Sequence, residues 1–323
     1  MRLLITGSSG QIGTNLALRC LELGHRVTGV DCRANAWTDA FECRLHDLSL
    51  PQPDRSGIFS AIERARPDVV VHFAAHAKVH ALVKAPRRAM ENMAMTQNVL
   101  EWCRALQIPM VLASSREVYG DIYRGTTAEC DADFTAAASP YSAGKLASEA
   151  MVAAYGRCYG LKYLVFRLSN VYGRYDNDLD RMERVVPLFI STIANDQPVT
   201  VFGSEKVLDF THVDDCVDGI LSGIERLMDG QLRNETINLA SGTGNSLLTM
   251  ASHVGAALGK EPRVTIAPSR TGEITRYVAN IDRAHTLLKF SPKIYLADGI
   301  YRAVAWGNEW SARPRAQAGA IAP

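Results

Sequence analysis

The stretch "LLITGSSGQIGTNLALRCLELGHRVTGVD", residues 3–31, decides the fold of this chain. An apolar run ends in a glycine-rich turn, a helical pattern follows, and a second apolar run ends at Asp31. Gly7 permits a tight turn, Gly10 lets backbone approach a pyrophosphate, and Gly13 lets the helix pack against the strand. Asp31 is placed to bind the hydroxyls of an adenosine ribose, and it favours NAD because its carboxylate would repel a 2′-phosphate. The stretch therefore predicts a dinucleotide-binding unit.

The alternation of strand and helix patterns continues beyond this unit. Apolar runs at 68–74, 108–113 and 162–168 are separated by helical patterns, and "TINLA" at 236–240 has the composition of one more buried strand. Strands that alternate with helices form parallel sheets covered on both faces. The sequence therefore predicts an α/β fold: a doubly wound parallel sheet of the Rossmann type with a smaller, mixed α/β, substrate-binding C-terminal domain.

We expect the chain to divide into two domains and a tail. The NAD-binding domain takes 1–168 and regains segments from about 209–243. The substrate-binding domain takes 169–208 and 244–312, where prolines break the pattern into short pieces. The last residues, 313–323, have the composition of a disordered end.

Composition and charge exclude several classes of protein. The formal net charge is +1, so the chain lacks the excess of positive charge that is typical of nucleic-acid-binding proteins. No apolar stretch reaches the ~20 residues that a membrane helix needs. The 7 cysteines are scattered without a Cys-x-x-Cys pair, which favours reduced thiols over disulfides or a metal site. We therefore expect a cytoplasmic protein that binds no nucleic acid, membrane or metal.

A second motif, "SPYSAGKLASEA" at 139–150, indicates chemistry. Ser139 can cap a helix, which places Tyr141 and Lys145 on one helix face. An ammonium beside a phenol favours the phenolate and lowers a pKa that is normally about 10. A phenolate is a suitable base for the hydroxyl of a sugar or alcohol. A tyrosine and a lysine at this spacing are most often a surface pair. Here a dinucleotide-binding unit precedes them, and Ser115 lies between that unit and the pair, which favours catalysis.

Three motifs occur along the chain in a fixed order: "TGSSGQIG", "SSREVYG" at 114–120, and "YSAGK". Together they resemble the extended short-chain dehydrogenase/reductases, and among these the NAD-dependent nucleotide-sugar epimerases and dehydratases, of which UDP-glucose 4-epimerase is one. The resemblance implies that Tyr141 takes a proton from a sugar hydroxyl, usually at C4, while Ser115 binds the same oxygen. It implies that Lys145 lowers the tyrosine pKa and holds the nicotinamide ribose. It further implies hydride transfer to tightly held NAD, a transient 4-ketosugar and a homodimer.

The same resemblance assigns contacts to the cofactor and to the nucleotide-sugar substrate. The NAD contacts are Gly7, Gly10, Gln11, Ile12, Gly13, Asp31, Asp47, Leu48, Ala74, Ala75, Tyr141 and Lys145. The substrate contacts are Ser115, Asn170, His76, Arg270 and Arg276. Asn170 would touch the nucleotide diphosphate, whereas His76 is explained about as well as a structural histidine. Leu208 stands where the family usually has an arginine that clamps the nucleotide, so Arg270, Arg276 or Lys206 would have to supply that clamp.

Arg116 and Glu117 leave the reaction open. Dehydratases of the family carry an Asp-Glu pair at these two positions, and an arginine is a poor proton donor. If the strand stays extended, Ser115 and Glu117 share one face and Glu117 points towards the sugar. If the strand has already ended, Glu117 pairs with Arg116 or caps a turn.

We expect 4-epimerisation of a nucleotide-diphosphate sugar. The alternatives are 4,6- or 5,6-dehydration through Glu117 at C5, decarboxylation of a UDP-uronate, reduction of a 4-ketosugar, and an NAD-binding regulatory protein without activity. The charged stretch "RYDNDLDRMER" at 174–184 is either a solvated loop or a loop that closes over the sugar.

Overall fold

The computed structural model describes residues 1–51, 57–121, 125–176 and 184–312, and the tail predicted for 313–323 lies outside them. Within these ranges the strands are β1 (Arg2–Thr6), β2 (Arg26–Asp31), β3 (Glu42–Leu45), β4 (Val69–His72), β5 (Met110–Ser115), β6 (Tyr163–Leu168), β7 (Asn170–Tyr172), β8 (Val199–Phe202), β9 (Val207–His212), β10 (Glu235–Leu239), β11 (Gly244–Ser246), β12 (Val264–Ala267) and β13 (Arg276–Tyr277). The helices are α1 (Gln11–Glu22), α2 (Ile58–Ala65), α3 (Val79–Lys84), α4 (Arg87–Leu106), α5 (Pro140–Tyr159), α6 (Val185–Ala194), α7 (Val213–Met228), α8 (Leu247–Leu258), α9 (Asp282–Leu288) and α10 (Leu296–Ala312). Short 3-10 helices span Arg116–Tyr119, Glu129–Asp131 and Phe134–Ala136.

The main sheet has 7 strands in the order β3-β2-β1-β4-β5-β6-β10, and every pair in it is parallel. The strand order reverses between β1 and β4, so a crevice opens at the carboxyl ends of these strands. The predicted Rossmann sheet is confirmed, and "TINLA" supplies most of β10 beside β6. The sequence pattern does not predict β3, because its four residues are half-exposed at the sheet edge and show no apolar run.

Apolar side chains cover both faces of this sheet. Leu3 and Ile5 of β1 belong to one core with Leu16 of α1, whereas Leu4 belongs to a second core with Leu100 of α4. Successive strand residues point to opposite faces, so an uninterrupted apolar run fills both cores. The helices α1, α7 and α9 cover the first face, and α2, α4 and α5 cover the second.

A separate apolar core fills much of the second half of the chain. Phe189 of α6, Met250 of α8 and Ile300 of α10 meet there with Phe210 of β9. Strand β9 pairs with β7 and β13 in parallel and with β11 antiparallel, and β8 pairs with β12. This mixed arrangement agrees with the fold class predicted for the smaller part, while the domain boundaries themselves stay a prediction.

Candidate active site

A cavity of about 640 Å³ lies at the carboxyl ends of the central strands. Its walls come from the glycine loop after β1, the ends of β2, β4 and β5, helix α5, and the β7, β9 and α6 region of the second core. Every predicted site residue except Arg276 lines this cavity. Arg276 lies instead in β13, outside this lining, where its backbone N–H donates to Asp121 at 3.3 Å, and its contact with the substrate stays a prediction.

The glycine loop has no room for side chains at two of its positions. Gly7 has a φ of +70°, and a Cβ there would lie 2.6 Å from the backbone nitrogen of Ala74. A Cβ on Gly13 would lie 2.3 Å from the carbonyl oxygen of Gly7. The loop therefore packs tightly against the end of β4 on one side and the first turn of α1 on the other, as the glycine spacing predicts.

The cofactor end of the cavity fits NAD. The glycine loop presents the N-terminus of α1, whose free N–H groups and dipole favour a pyrophosphate. Asp31 lies at the end of β2, and its carboxylate accepts the Ser9 N–H at 3.0 Å and the Arg33 N–H at 3.2 Å. Asp47 and Leu48 line the same end of the cavity. The cradle and the carboxylate are thus placed as a dinucleotide requires.

Ser115, Tyr141 and Lys145 meet at the end of β5. Helix α5 starts with a capping box in which Ser139 Oγ accepts the Ser142 N–H at 3.2 Å, so the two functional residues fall in its first two turns. Tyr141 is hydrogen-bonded to the Ser115 side chain. Lys145 Nζ donates to the carbonyl oxygen of Ala113 at 2.7 Å.

Burial dominates the ionisation of both groups. It raises the pKa of Tyr141 to about 12, although the hydrogen bond with Ser115 opposes the rise. It lowers the pKa of Lys145 to about 8, although the carboxylate of Glu149 opposes the fall. The four-residue spacing predicts a lowered tyrosine pKa, and the structure shows the opposite direction. The reason is that desolvation of the phenolate is the largest effect, while the Lys145 ammonium is held by Ala113.

Arg116 and Glu117 adopt the turn geometry rather than the extended one. Strand β5 ends at Ser115, and the 3-10 helix that follows is capped by Ser115 Oγ, which accepts the Glu117 N–H at 3.2 Å. An ion pair of 2.9 Å joins the two side chains. The extended geometry is therefore wrong and the pairing with Arg116 is confirmed, yet both residues still line the cavity. Burial raises the pKa of Glu117, and its Oε2 is buried without a hydrogen-bond partner in the described part of the chain.

The other walls of the cavity carry polar and cationic groups. Asn170 Nδ2 donates to the carbonyl oxygen of Asp209 at 2.9 Å, which ties β7 to β9. Leu208 is buried in β9 and also lines the cavity. The guanidinium of Arg270 lies 3.9 Å from the centre of the Phe202 ring. Lys206 Nζ pairs with Glu273 at 2.6 Å, and it too lines the cavity.

His76 is fixed through its backbone as well as its ring. Its N–H donates to Asn92 Oδ1 at 2.7 Å, and its carbonyl accepts from Asn92 Nδ2 at 3.1 Å. Its ring Nε2 lies 2.8 Å from the carboxylate of Glu91. The residue lines the cavity, but these contacts agree best with a structural histidine.

The cavity lining includes two further charged residues, and the sequence analysis does not single out either of them. Asp176 and Arg184 form an ion pair of 3.2 Å, and Arg184 also donates to the side-chain oxygen of Gln11 in α1. Burial raises the pKa of Asp176 to about 7, and Arg184 opposes the rise. Both lie at the ends of the charged stretch 174–184, whose residues 177–183 lie outside the described ranges. The high charge of this stretch is the feature of the sequence that could have indicated Asp176 and Arg184. The sequence alone does not show which of these charged residues are buried.

No helix in the described residues is long and apolar enough to cross a membrane. All 7 cysteines lie in these residues and none is in a disulfide.

Comparison with known proteins agrees with this geometry. A family model described as "NAD dependent epimerase/dehydratase family" matches residues 3–240. The UDP-glucuronate 4-epimerase of Thermodesulfobacterium geofontis is 27% identical over 95% of this chain and 96% of that protein. The dTDP-glucose 4,6-dehydratase of Streptomyces niveus is 28% identical over 95% of this chain and 92% of that protein.

Solved structures give the same result. The UDP-glucose 4-epimerase of Thermus thermophilus in complex with NAD aligns with a TM-score of 0.85 and 29% identity, over 95% of this chain and 99% of that chain. The family match covers well over half of the sequence, and the matched part includes the glycine loop, Ser115, Tyr141 and Lys145. The chain therefore belongs to the NAD-dependent epimerase/dehydratase family, within the extended short-chain dehydrogenase/reductases, and its cofactor is NAD.

Proposed function

We propose that the protein is an NAD-dependent 4-epimerase of nucleotide-diphosphate sugars. The observation that carries the proposal is the meeting of Ser115, Tyr141 and Lys145 beside a dinucleotide cradle, with Arg116 rather than a carboxyl next to the serine. The epimerases among the similar proteins support it.

Tyr141 removes the proton of the sugar 4-hydroxyl, and Ser115 binds the same oxygen through its hydroxyl. NAD held in the glycine loop would supply the acceptor and donor of the C4 hydride. At a pKa of about 12, ionisation of Tyr141 near neutral pH needs roughly 7 kcal/mol of added stabilisation of the phenolate. Arg184 and Arg116 already act in this direction on Tyr141, and the positively charged nicotinamide ring of bound NAD would add to their effect.

Arg116 favours epimerisation over dehydration. Elimination across C5 and C6 needs one group to take the C5 proton and another to protonate the leaving hydroxyl. Arg116 stays protonated and is already paired with Glu117, so it is no proton donor. Glu117 keeps a buried oxygen without a partner in the described residues, and this observation makes a dehydratase the second candidate.

We propose that the nucleotide diphosphate binds at the part of the cavity that Arg270 and Lys206 line. Arg270 and Lys206 place two cations there, and the Phe202 ring offers an apolar face. Guanidinium and ammonium groups bind phosphate oxygens through charge-assisted hydrogen bonds. We therefore assign to Arg270 and Lys206 the clamping role that Leu208 does not provide, and to Asn170 a place at the diphosphate.

Mass spectrometry of the products tests the proposal. Purified protein is mixed with uridine-, thymidine-, guanosine- and cytidine-diphosphate sugars, including a uronate. A product of unchanged mass with a new retention time supports the epimerase. Loss of water supports the dehydratase instead, and loss of carbon dioxide from the uronate contradicts both.

We also propose a cytoplasmic homodimer that associates through α4 and α5. Met90 on α4 is 62% exposed and Tyr159 on α5 is 53% exposed, although each is a large, mainly apolar side chain. The absence of disulfides among the described cysteines agrees with a reducing compartment. Light scattering would show twice the mass of one chain, and Met90→Glu would lower it to that of a monomer; a monomeric wild type contradicts the dimer.

A further inference from the structure

We propose that Arg184 contacts the sugar and that Asp176 is the positioning residue that holds Arg184 in place. The inference rests on the proposed function, because it concerns how the same cavity recognises its sugar. It adds a second arginine–carboxyl pair to the site, beside Arg116 and Glu117 and supplied by a different part of the chain.

Arg184 lines the same cavity as the proposed base, Tyr141. Three charged groups act on the ionisation of Tyr141: Glu117, which raises its pKa, and Arg184 and Arg116, which lower it. Arg116 and Glu117 follow β5, whereas Arg184 immediately precedes α6. A sugar bound against the Tyr141 hydroxyl therefore lies in the cavity that both pairs line.

The contacts of Arg184 within the protein leave some of its N–H donors unused. Its contacts with Asp176, with the side chain of Gln11 and with the carbonyl of Val171 at 3.5 Å all use Nη1. Within the described ranges, Nε and Nη2 have no hydrogen-bond partner, and 31% of the side chain is exposed. A guanidinium offers five N–H donors in a plane, so the remaining ones can take sugar oxygens while Nη1 stays anchored.

Asp176 is suited to positioning rather than to contact. Its side chain is only 6% exposed, and Oδ1 faces Arg184. Its Oδ2 is buried and has no hydrogen-bond partner in the part of the chain that the structure describes. A carboxylate buried in this way is costly unless it is paired, so its ionised form depends on Arg184.

This dependence makes sugar recognition sensitive to pH. Because the pKa of Asp176 is raised to about 7, the carboxylate is ionised at pH 8 and mostly protonated at pH 6. The charged group that acts on the ionisation of Asp176 is Arg184. Tyr141 from α5, and Arg116 and Glu117 after β5, line the same cavity. As pH falls through 7, Arg184 loses its ionic anchor and the sugar is held less well.

Steady-state kinetics of the NAD-loaded enzyme test the inference, with the nucleotide sugar that gives turnover in the product panel. For the wild type, KM is expected to rise about tenfold as pH falls from 8 to 6, which equals one charge-assisted hydrogen bond of ordinary strength. Asp176→Asn is expected to have the high KM at every pH, with kcat changed less than twofold. A merely structural role would lower kcat or the melting temperature without flattening the KM profile.

Two further variants complete the design. Arg184→Met is expected to give the same high, pH-independent KM, and it keeps the inference testable if Asp176→Asn does not fold. Asp214→Asn is the matched control, because Asp214 pairs with Arg174 at 2.8 Å outside the cavity lining. Its KM profile should match the wild type.

The outcomes separate the two proposals. If the wild type turns over a nucleotide sugar but Asp176→Asn and Arg184→Met keep its KM profile, the inference is overturned and the proposed function stands. If the wild type binds NAD but converts no nucleotide sugar in the panel, the proposed function fails and the inference fails with it.

Discussion

Substitution of Gly13 by alanine should displace the dinucleotide loop. The added Cβ would lie 2.3 Å from the carbonyl oxygen of Gly7 and 2.9 Å from Cα of Ser8. Both are backbone atoms, so no side chain can turn away to make room. Reaching an ordinary contact needs a shift of roughly 1 Å between α1 and the loop, although Leu16 and Cys20 of α1 are fully buried in the sheet core.

The sign of the effect follows from two opposing magnitudes. Alanine in place of glycine within a helix stabilises it by about 1 kcal/mol. Overpacking against rigid neighbours costs about 1–3 kcal/mol or more, and here the neighbours are backbone. We expect the free energy of unfolding of Gly13→Ala to fall by about 2 kcal/mol and its Kd for NAD to rise at least tenfold, because the displaced loop carries the cradle.

Urea denaturation and calorimetric titration of NAD measure both quantities. Gly307→Ala in α10 is the matched control, since nothing lies within 4 Å of its Cβ position, and it should be neutral or slightly stabilising. Gly10→Ala, whose Cβ would lie 3.3 Å from the Gly7 oxygen, should fall between the two. A Gly13→Ala protein with wild-type stability and NAD affinity would refute the packing that defines this loop.

Three other changes have defined outcomes. Tyr141→Phe should abolish turnover while NAD stays bound, as product analysis and the absorbance of released cofactor will show; full activity would exclude Tyr141 as the base. Glu117→Gln should leave 4-epimerisation within about tenfold of the wild type, whereas loss of all activity with retained NAD would favour C5 chemistry. The Asp176 pKa, raised from 3.8 to about 7, means that the folded state binds an extra proton between these values, so this residue lowers stability progressively as pH rises from about 4 to 7. Asp176→Asn should therefore gain stability relative to the wild type between pH 5 and pH 8, by at most roughly 4 kcal/mol, and a difference in melting temperature that is constant with pH would contradict this.

The sheet was predictable because its strands are apolar runs that end in distinctive residues. The runs at 2–6 and 26–31 match β1 and β2, since Gly7 and Asp31 mark where each strand stops. The edge strand β3 has neither feature. The small sheet around β9 depends on contacts between segments far apart in sequence, which no local pattern reports.

The cavity was predictable where the residue type is tied to a motif, and not where tertiary packing decides. Ser115, Tyr141 and Lys145 converge as the motifs imply, because all three lie on elements that the sheet positions. The tyrosine pKa moves the other way because spacing along a helix does not report burial. Glu117 keeps its place at the cavity despite the end of the strand, because a 3-10 turn also brings it there. Asp176 and Arg184 are brought together by the fold alone.

The most direct test of 4-epimerisation follows a deuterium placed at C4 of the nucleotide sugar. If Tyr141 takes the hydroxyl proton and the C4 hydrogen is carried on NAD within the closed site, the product will have the mass of the labelled substrate, inverted C4, and deuterium still at C4. Two results would contradict 4-epimerisation. One is deuterium at C6 of a product that has lost water, and the other is exchange of the deuterium into solvent.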